Sequence, residues 1–188
     1  MSFELEIREK DGSMISVKFK ILDESYLDKI MDLQDEIMEG LKEKEWYSPS
    51  SKEEFKKSIR ENGKILGCLL DDDSLIAMGV YCEYGYDNHN YGYDLMLEGE
   101  ELLRVGQIES TLVSEKYRGN RLQKKICEVL EKEAIKNNMK ILSATASPYN
   151  IYSVNTFKSL NYTIEADKLK YGGLRRYVFK KEIRNELF

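Results

Sequence analysis

The chain has 188 residues, 29 Lys and Arg against 34 Asp and Glu, and a formal net charge of -5. That length suits one domain, predicted over 1–188 with its own hydrophobic core. The 41% hydrophobic and 34% charged residues exclude a disordered chain, no apolar run approaches the ~20 residues of a membrane helix, and the start MSFELEIREKDG has no apolar signal segment, so a cytoplasmic protein without membrane contact is expected.

Phe3–Ile7 and Ile15–Ile21 alternate apolar and polar side chains about the tight-turn pair Asp11-Gly12. This is the pattern of a half-buried hairpin over 1–22. Asp23 or Ser25 caps a helix whose apolar positions Leu27, Ile30, Met31, Ile37, Met38 and Leu41 recur at three-four spacing. Gln34 reads as a polar interruption of that face. Pro49, Ser50 and Ser51 open a second, more polar helix through Phe55 and Ile59 to about Asn62.

Ile65–Leu70 and Leu75–Cys82 are apolar runs joined by a polar turn at 71–74, read as an interior antiparallel pair. Residues 83–101 are irregular and rich in Tyr, Asp, Asn and Gly. Leu103–Val113 reads as a strand, and Asn120–Asn138 as a long helix with Leu122, Ile126, Val129, Leu130, Ala134 and Ile135 on one face. Lys140–Ser147 is a strand, Asn150–Leu160 a helix, and Tyr162–Lys170 with Leu174–Ile183 a closing hairpin about Gly172-Gly173. The strand–helix–strand element requires a parallel crossover. The expected fold is α/β (α+β): a mixed, mostly antiparallel central sheet flanked by helices, with one parallel strand–helix–strand crossover.

Cys68, Cys82 and Cys127 are widely spaced and each lies in an apolar stretch. They read as reduced core residues, with no CxxC pair and no zinc spacing. A single histidine, His89, removes the usual His-based triads and most transition-metal sites, so no metal is expected. The acidic balance argues against a nucleic-acid partner.

One stretch departs from that balance. Arg118-Gly119-Asn120-Arg121-Leu122-Gln123-Lys124-Lys125 carries four bases and no acid, at the opening of the long helix. The macrodipole already places positive charge there and favours acidic side chains. Cations at that end work against the helix unless an anion is bound, and the free amides of a first turn make a phosphate site. The position, at the carboxyl end of a parallel strand, is where open α/β sheets bind ligands. A solvated lysine face and a simple glycine turn would give the same residues. Neither GxxxxGK[ST] nor GxGxxG is present.

Val113-Ser114-Glu115-Lys116-Tyr117 followed by Arg118-Gly119-Asn120-Arg121-Leu122-Gln123 resembles the signature motif of the GNAT N-acetyltransferases, in which a strand runs into an Arg/Gln-x-x-Gly-x-Gly/Ala loop that opens a long helix. Asn150, Ser153, Phe157, Asn161 and Tyr162 resemble the family's later segment. The resemblance places the cofactor-binding core at 103–162. Arg121, Gln123 and Asn161 stand where the family has small residues, so the first two side chains must point away from a bound pyrophosphate.

The resemblance implies acetyl-CoA (coenzyme A) as co-substrate and transfer of its acetyl group to an amine. Carried over by position, the amides of Arg118, Gly119, Asn120, Arg121, Leu122, Gln123 and Lys124 hold the pyrophosphate. Thr111, Leu112 and Val113 pair their backbone with the pantetheine arm, and Asn150 bonds the cofactor, although a helix N-cap explains that residue equally. Glu109 is the candidate catalytic base; an alternating strand that shows it to solvent is the bland account. Relatives often protonate the leaving thiolate with a Tyr where this chain has Phe157, which has no proton to give.

Between Tyr81 and Glu101, tyrosines with Asp87, Asp94, Glu98, Glu100 and Glu101 would suit a cationic amine, or form a partly packed loop. The partner expected is a small-molecule or peptide amine acceptor, with a homodimer left open. A non-catalytic acyl-CoA-binding sensor or regulatory module is the alternative reading.

Overall fold

The computed structural model describes residues 2–183. Asp11 and Gly12 turn β1 (Ser2–Arg8) back on β2 (Met14–Leu22), with the left-handed backbone at Gly12 that the turn requires. Asp23 accepts the Ser25 amide and starts a single 3₁₀ turn that leads into α1 (Leu27–Gly40). Leu41 lies past the helix end in extended backbone. Ser51 forms a reciprocal capping box with Glu54 and opens α2 (Lys52–Lys57). The predicted continuation to Asn62 is a separate π-helical turn, Ser58–Asn62.

β3 (Gly63–Leu69) and β4 (Leu75–Cys82) form the expected pair, almost wholly buried. Next come two 3₁₀ turns, Tyr91–Leu95 and Gly99–Arg104, so β5 begins at Val105 and not at Leu103. β5 (Val105–Val113), α3 (Leu122–Lys136), β6 (Ile141–Ala146) and α4 (Ile151–Ser159) follow, then β7 (Thr163–Lys170) and β8 (Leu174–Glu182). The strands make one sheet in the order β1-β2-β3-β4-β5-β6-β8-β7, in which β5 and β6 are the parallel pair and every other neighbour is antiparallel. This is the mixed sheet expected from the sequence.

Each face of the sheet carries its own core. Ile126, Leu130 and Ala134 of α3 and Val154 and Phe157 of α4 pack with Ile108, Leu142 and Phe179. Ile30, Leu33 and Ile37 of α1 and Phe55 of α2 pack with Ile65, Met78 and Val80 on the other face. Cys68, Cys82 and Cys127 are free and buried. Burial pushes the Cys68 and Cys82 thiols up to about 12 and Cys127 further still, so all three stay protonated at neutral pH and serve as packing atoms.

Candidate active site

The parallel ladder joins Val105–Ile108 to Ile141–Ala144 and stops, although β5 continues to Val113 and β6 to Ala146. The divergence begins at a bulge. Val80 pairs with Glu109 and Met78 with Leu112, so Gly79 alone faces Ser110 and Thr111, and Ser110 takes a positive φ of 43°. Gly79 is needed there because a Cβ would lie 2.5 Å from Ile126 Cγ2, where α3 presses on the sheet. The gap opens into a cleft of about 1580 Å³ that runs from the start of α3 to the β7–β8 turn.

At one end lies the basic stretch. α3 opens at Arg121 with no side-chain cap and no acid in its first turn. The first intrahelical bond is Lys125 N to Arg121 O, which leaves the amides of Leu122, Gln123 and Lys124 without intrahelical acceptors. Gly119 and Arg121 both have left-handed φ, 91° and 56°. Arg118 and Arg121 are exposed, and neither they nor Lys124 form an ion pair among the described residues; Lys125 makes a loose one, 3.7 Å from Glu128.

The side chains at the positions where small residues were expected, Arg121 and Gln123, both line the cleft. Arg121 is exposed. Gln123 Nε2 donates to Thr111 Oγ1 at 2.9 Å and Ser153 Oγ at 3.0 Å, tying β5 to α4 along the cleft. Asn120 turns away from the cleft: it donates to Arg8 O at 2.8 Å and accepts Arg8 N at 2.9 Å, so its side chain stitches the loop to β1. Asn150 lines the cleft while its Oδ1 caps α4 at Ser153 N, 3.3 Å away. Thr111, Leu112 and Val113 border the gap with no partner from β6.

Glu109 faces the cleft and not open solvent. Gln107, fully buried, donates to Glu109 Oε1 at 2.7 Å, and the Tyr84 hydroxyl lies 3.4 Å from Oε2. Burial pushes the Glu109 carboxyl above its ordinary value, against the opposite pull of hydrogen bonds from Gln107, Tyr91 and Tyr84. A carboxylate raised toward neutrality is a stronger base, which suits proton abstraction near pH 7.

The wall opposite is set by Gln34, the residue that reads as an interruption of α1. It is 2% exposed and clips Ser50, donating to Ser50 O and accepting Ser50 N, both at 2.9 Å. The Tyr47 hydroxyl lies 2.9 Å from Gln34 Oε1 and 3.3 Å from Ser110 Oγ, so the 47–50 segment rests on the bulge. In the 83–104 segment only part of the predicted acceptor wall faces the cleft. Tyr84, Tyr91, His89 and Asp94 line it; Glu98, Glu100 and Glu101 are exposed elsewhere. Asp94 is bound by both Lys168 and Lys170.

Residues 27–162 match the profile of the Acetyltransferase (GNAT) family. The chain belongs to that family. No curated protein sequence matches it. Among solved structures, the acetyltransferase of the GNAT family from Streptococcus pneumoniae superposes with a TM-score of 0.68 at 14% identity, over 89% of this chain and 99% of that one. The structure of yncA from Salmonella typhimurium with its cofactor acetyl-CoA gives 0.66 at 12% identity, over 90% and 95%. A ribosomal-protein-alanine N-acetyltransferase from Brucella melitensis gives 0.64 at 14%, over 88% and 99%. At these identities the likeness shows the fold.

Within this GNAT chain Phe157 is 2% exposed and packs on Tyr162 and Phe179, so it belongs to the core. No cluster of His, Cys, Asp or Glu among the described residues has the arrangement of a metal site, and none of their helices is long and apolar enough to cross a membrane. Sequence patterning misses Gln34, Gln107 and Arg176. Arg176 had a signal: it shares a strand face with the apolar Val178, where a charge is out of place.

Proposed function

We propose that this GNAT chain is an N-acetyltransferase that moves the acetyl group of acetyl-CoA to an amine of a small molecule or peptide. One observation carries the reading: an uncapped, cation-flanked helix start and a deeply set carboxylate border the same gap between β5 and β6. The residues fit a nucleotide-type cofactor, because three first-turn amides lack intrahelical acceptors, the first turn holds no acid, and Arg118, Arg121 and Lys124 form no ion pair among the described residues. The amides from Arg118 to Lys124 would hold the pyrophosphate, and the free edge of Thr111, Leu112 and Val113 the pantetheine arm. Asn150 would present its remaining amide hydrogens to that arm.

When bound, acetyl-CoA supplies the thioester carbon to which the amine nitrogen bonds as the carbon–sulfur bond breaks. Glu109 takes the proton that the amine nitrogen must lose. Gln107 and Tyr84 hold that carboxylate in place. Phe157 offers no proton, so water returns one to the leaving thiolate.

The test is coenzyme A release from acetyl-CoA across amino acids, polyamines, aminoglycosides and peptides. Acceptor-dependent release with a matching N-acetylated product is the expected result. Tight coenzyme A binding with no turnover across the panel would overturn it and favour a sensor.

A further inference from the structure

Arg176 is a cleft-lining cation that is buried and has no ion-pair partner among the described residues. It is 3% exposed. Its Nη1 donates to the neighbouring Arg175 carbonyl at 2.8 Å, and its Nη2 has no hydrogen-bond partner among the described residues. Its Cζ also lies 5.7 Å from the ring centroid of Tyr171. A buried guanidinium keeps its charge and five donors, and native proteins pair such groups. Asp94, the carboxylate lining this end of the cleft, is shared by Lys168 and Lys170. Glu45, whose charge also acts on Arg176, is exposed and forms no ion pair with it among the described residues. Lys168, Lys170 and Arg176 therefore have one directly bonded carboxylate among them, with Glu45 acting on Arg176 only from a distance, and this end of the cleft is short of paired negative charge.

Its position gives the missing anion a role. Arg176 and Val178 alternate on one strand face, Val178 pairs with Thr145, and Ser143 one step back pairs with Gln107. Arg176, Thr145, Gln107 and Glu109 therefore share the face opposite α3 and α4, away from the phosphate end. Hydroxyls bridge the interval. Tyr171 lies 3.0 Å from Thr145 Oγ1 and 2.5 Å from the Tyr91 hydroxyl, and Tyr91 in turn bonds toward Glu109. The aromatic wall thus runs from the base to the guanidinium.

Resting on the transferase reading, we infer that Arg176 anchors a carboxylate carried by the acceptor, so the acceptor is an amino-acid-type molecule whose amine meets Glu109. A carboxylate matches the planar fork of Arg, which a point-charge site would not require. The aspartate-bound lysines beside it exclude a polyamine from the same end through like charge.

Thermal shift of the coenzyme A-loaded protein tests this without turnover. The probes are a panel of N-acetyl amino acids, their carboxamides and inorganic phosphate, on wild type, Arg176→Lys and Arg176→Met. At least one N-acetyl amino acid should bind about ten- to a hundredfold more tightly than its carboxamide. Arg176→Met should lose that preference, Arg176→Lys should keep part of it, and coenzyme A should bind all three proteins alike. No preference for carboxylates, phosphate binding as well as the best carboxylate, or weakened coenzyme A binding in Arg176→Met would each overturn the inference. Carboxylate binding with no acetyl transfer to the corresponding amines would instead overturn the transferase reading and leave the anchor standing.

Discussion

Gln107 donates its side-chain amide to Glu109 across 2.7 Å, and the same side chain holds the neighbouring loop, accepting the Tyr91 amide at 2.5 Å and donating to the His89 carbonyl at 3.2 Å. One buried amide therefore fixes both the base and the wall beside it. The bond favours the charged carboxylate, so its loss raises the Glu109 pKa further. In Gln107→Met the acid limb of the kcat/KM profile should move to higher pH by about one unit. Activity lost at neutral pH should return as the pH rises, a recovery that simple misfolding would not give.

Glu109→Gln should lower the rate by about 10²–10⁴-fold while coenzyme A affinity holds. Stability should move the other way. Burial raises the carboxyl above its ordinary 4.5, so between that value and the raised one the folded chain keeps a proton that the unfolded chain releases. Stability therefore falls as pH rises through that window. Gln cannot titrate, so the variant should melt above wild type at neutral pH and lose that advantage below about pH 4.5. Paired melting curves at the two pH values check it.

Arg118→Glu puts a negative charge beside the uncapped start of α3. Coenzyme A should bind more than about tenfold more weakly, since a phosphate contact is exchanged for repulsion. A phosphate-free pantetheine fragment should be little affected. Equal loss for both, read by calorimetry, would show that Arg118 shapes the cleft and does not meet phosphate.

Most of the sheet could be read ahead because its strands alternate or run apolar, and because α1 and α3 repeat at helical spacing. The 83–104 segment could not, since its two 3₁₀ turns are held by tertiary bonds such as Asn90 to the Leu102 carbonyl. At the site, the basic turn and Glu109 were legible as local pattern. Gln34 and Gln107 were not. Each is a neutral amide whose loop partners lie 13 to 18 residues away, and although Gln107 also meets Glu109 two residues on, no spacing rule links either amide to its loop. Asn120 shows the converse: a residue in the right motif whose side chain serves β1, 112 residues distant.

The two left-handed positions in the phosphate turn should respond in opposite directions. Gly119 has φ 91° with nothing within 4 Å of a built Cβ, so Gly119→Ala strains only its own backbone, costing about 1–3 kcal/mol. Arg121 already carries that strain at φ 56°, and Arg121→Gly should recover about 1 kcal/mol of stability. The same change removes a cation, so coenzyme A should bind more weakly to the more stable protein. Denaturant midpoints and titration separate the two effects.

Gln34→Leu tests the clip on the acceptor side. Leu fits the helix and its buried face, but the Ser50 amide and carbonyl then lose the partners they hold at 2.9 Å. Leaving such groups unpaired should cost about 2–4 kcal/mol. Burial pushes the Tyr47 phenol up to about 12, so it stays protonated and must turn to Ser110 Oγ once Gln34 Oε1 is gone. The 47–50 segment should then loosen from the bulge, raising KM for the acceptor while coenzyme A binding, on the far side of the gap, is unchanged. Tyr47→Phe removes one hydroxyl and leaves the Ser50 clip whole, so its loss of stability should be the smaller of the two. A larger loss in Tyr47→Phe would mean that the phenol, and not the amide, carries this wall.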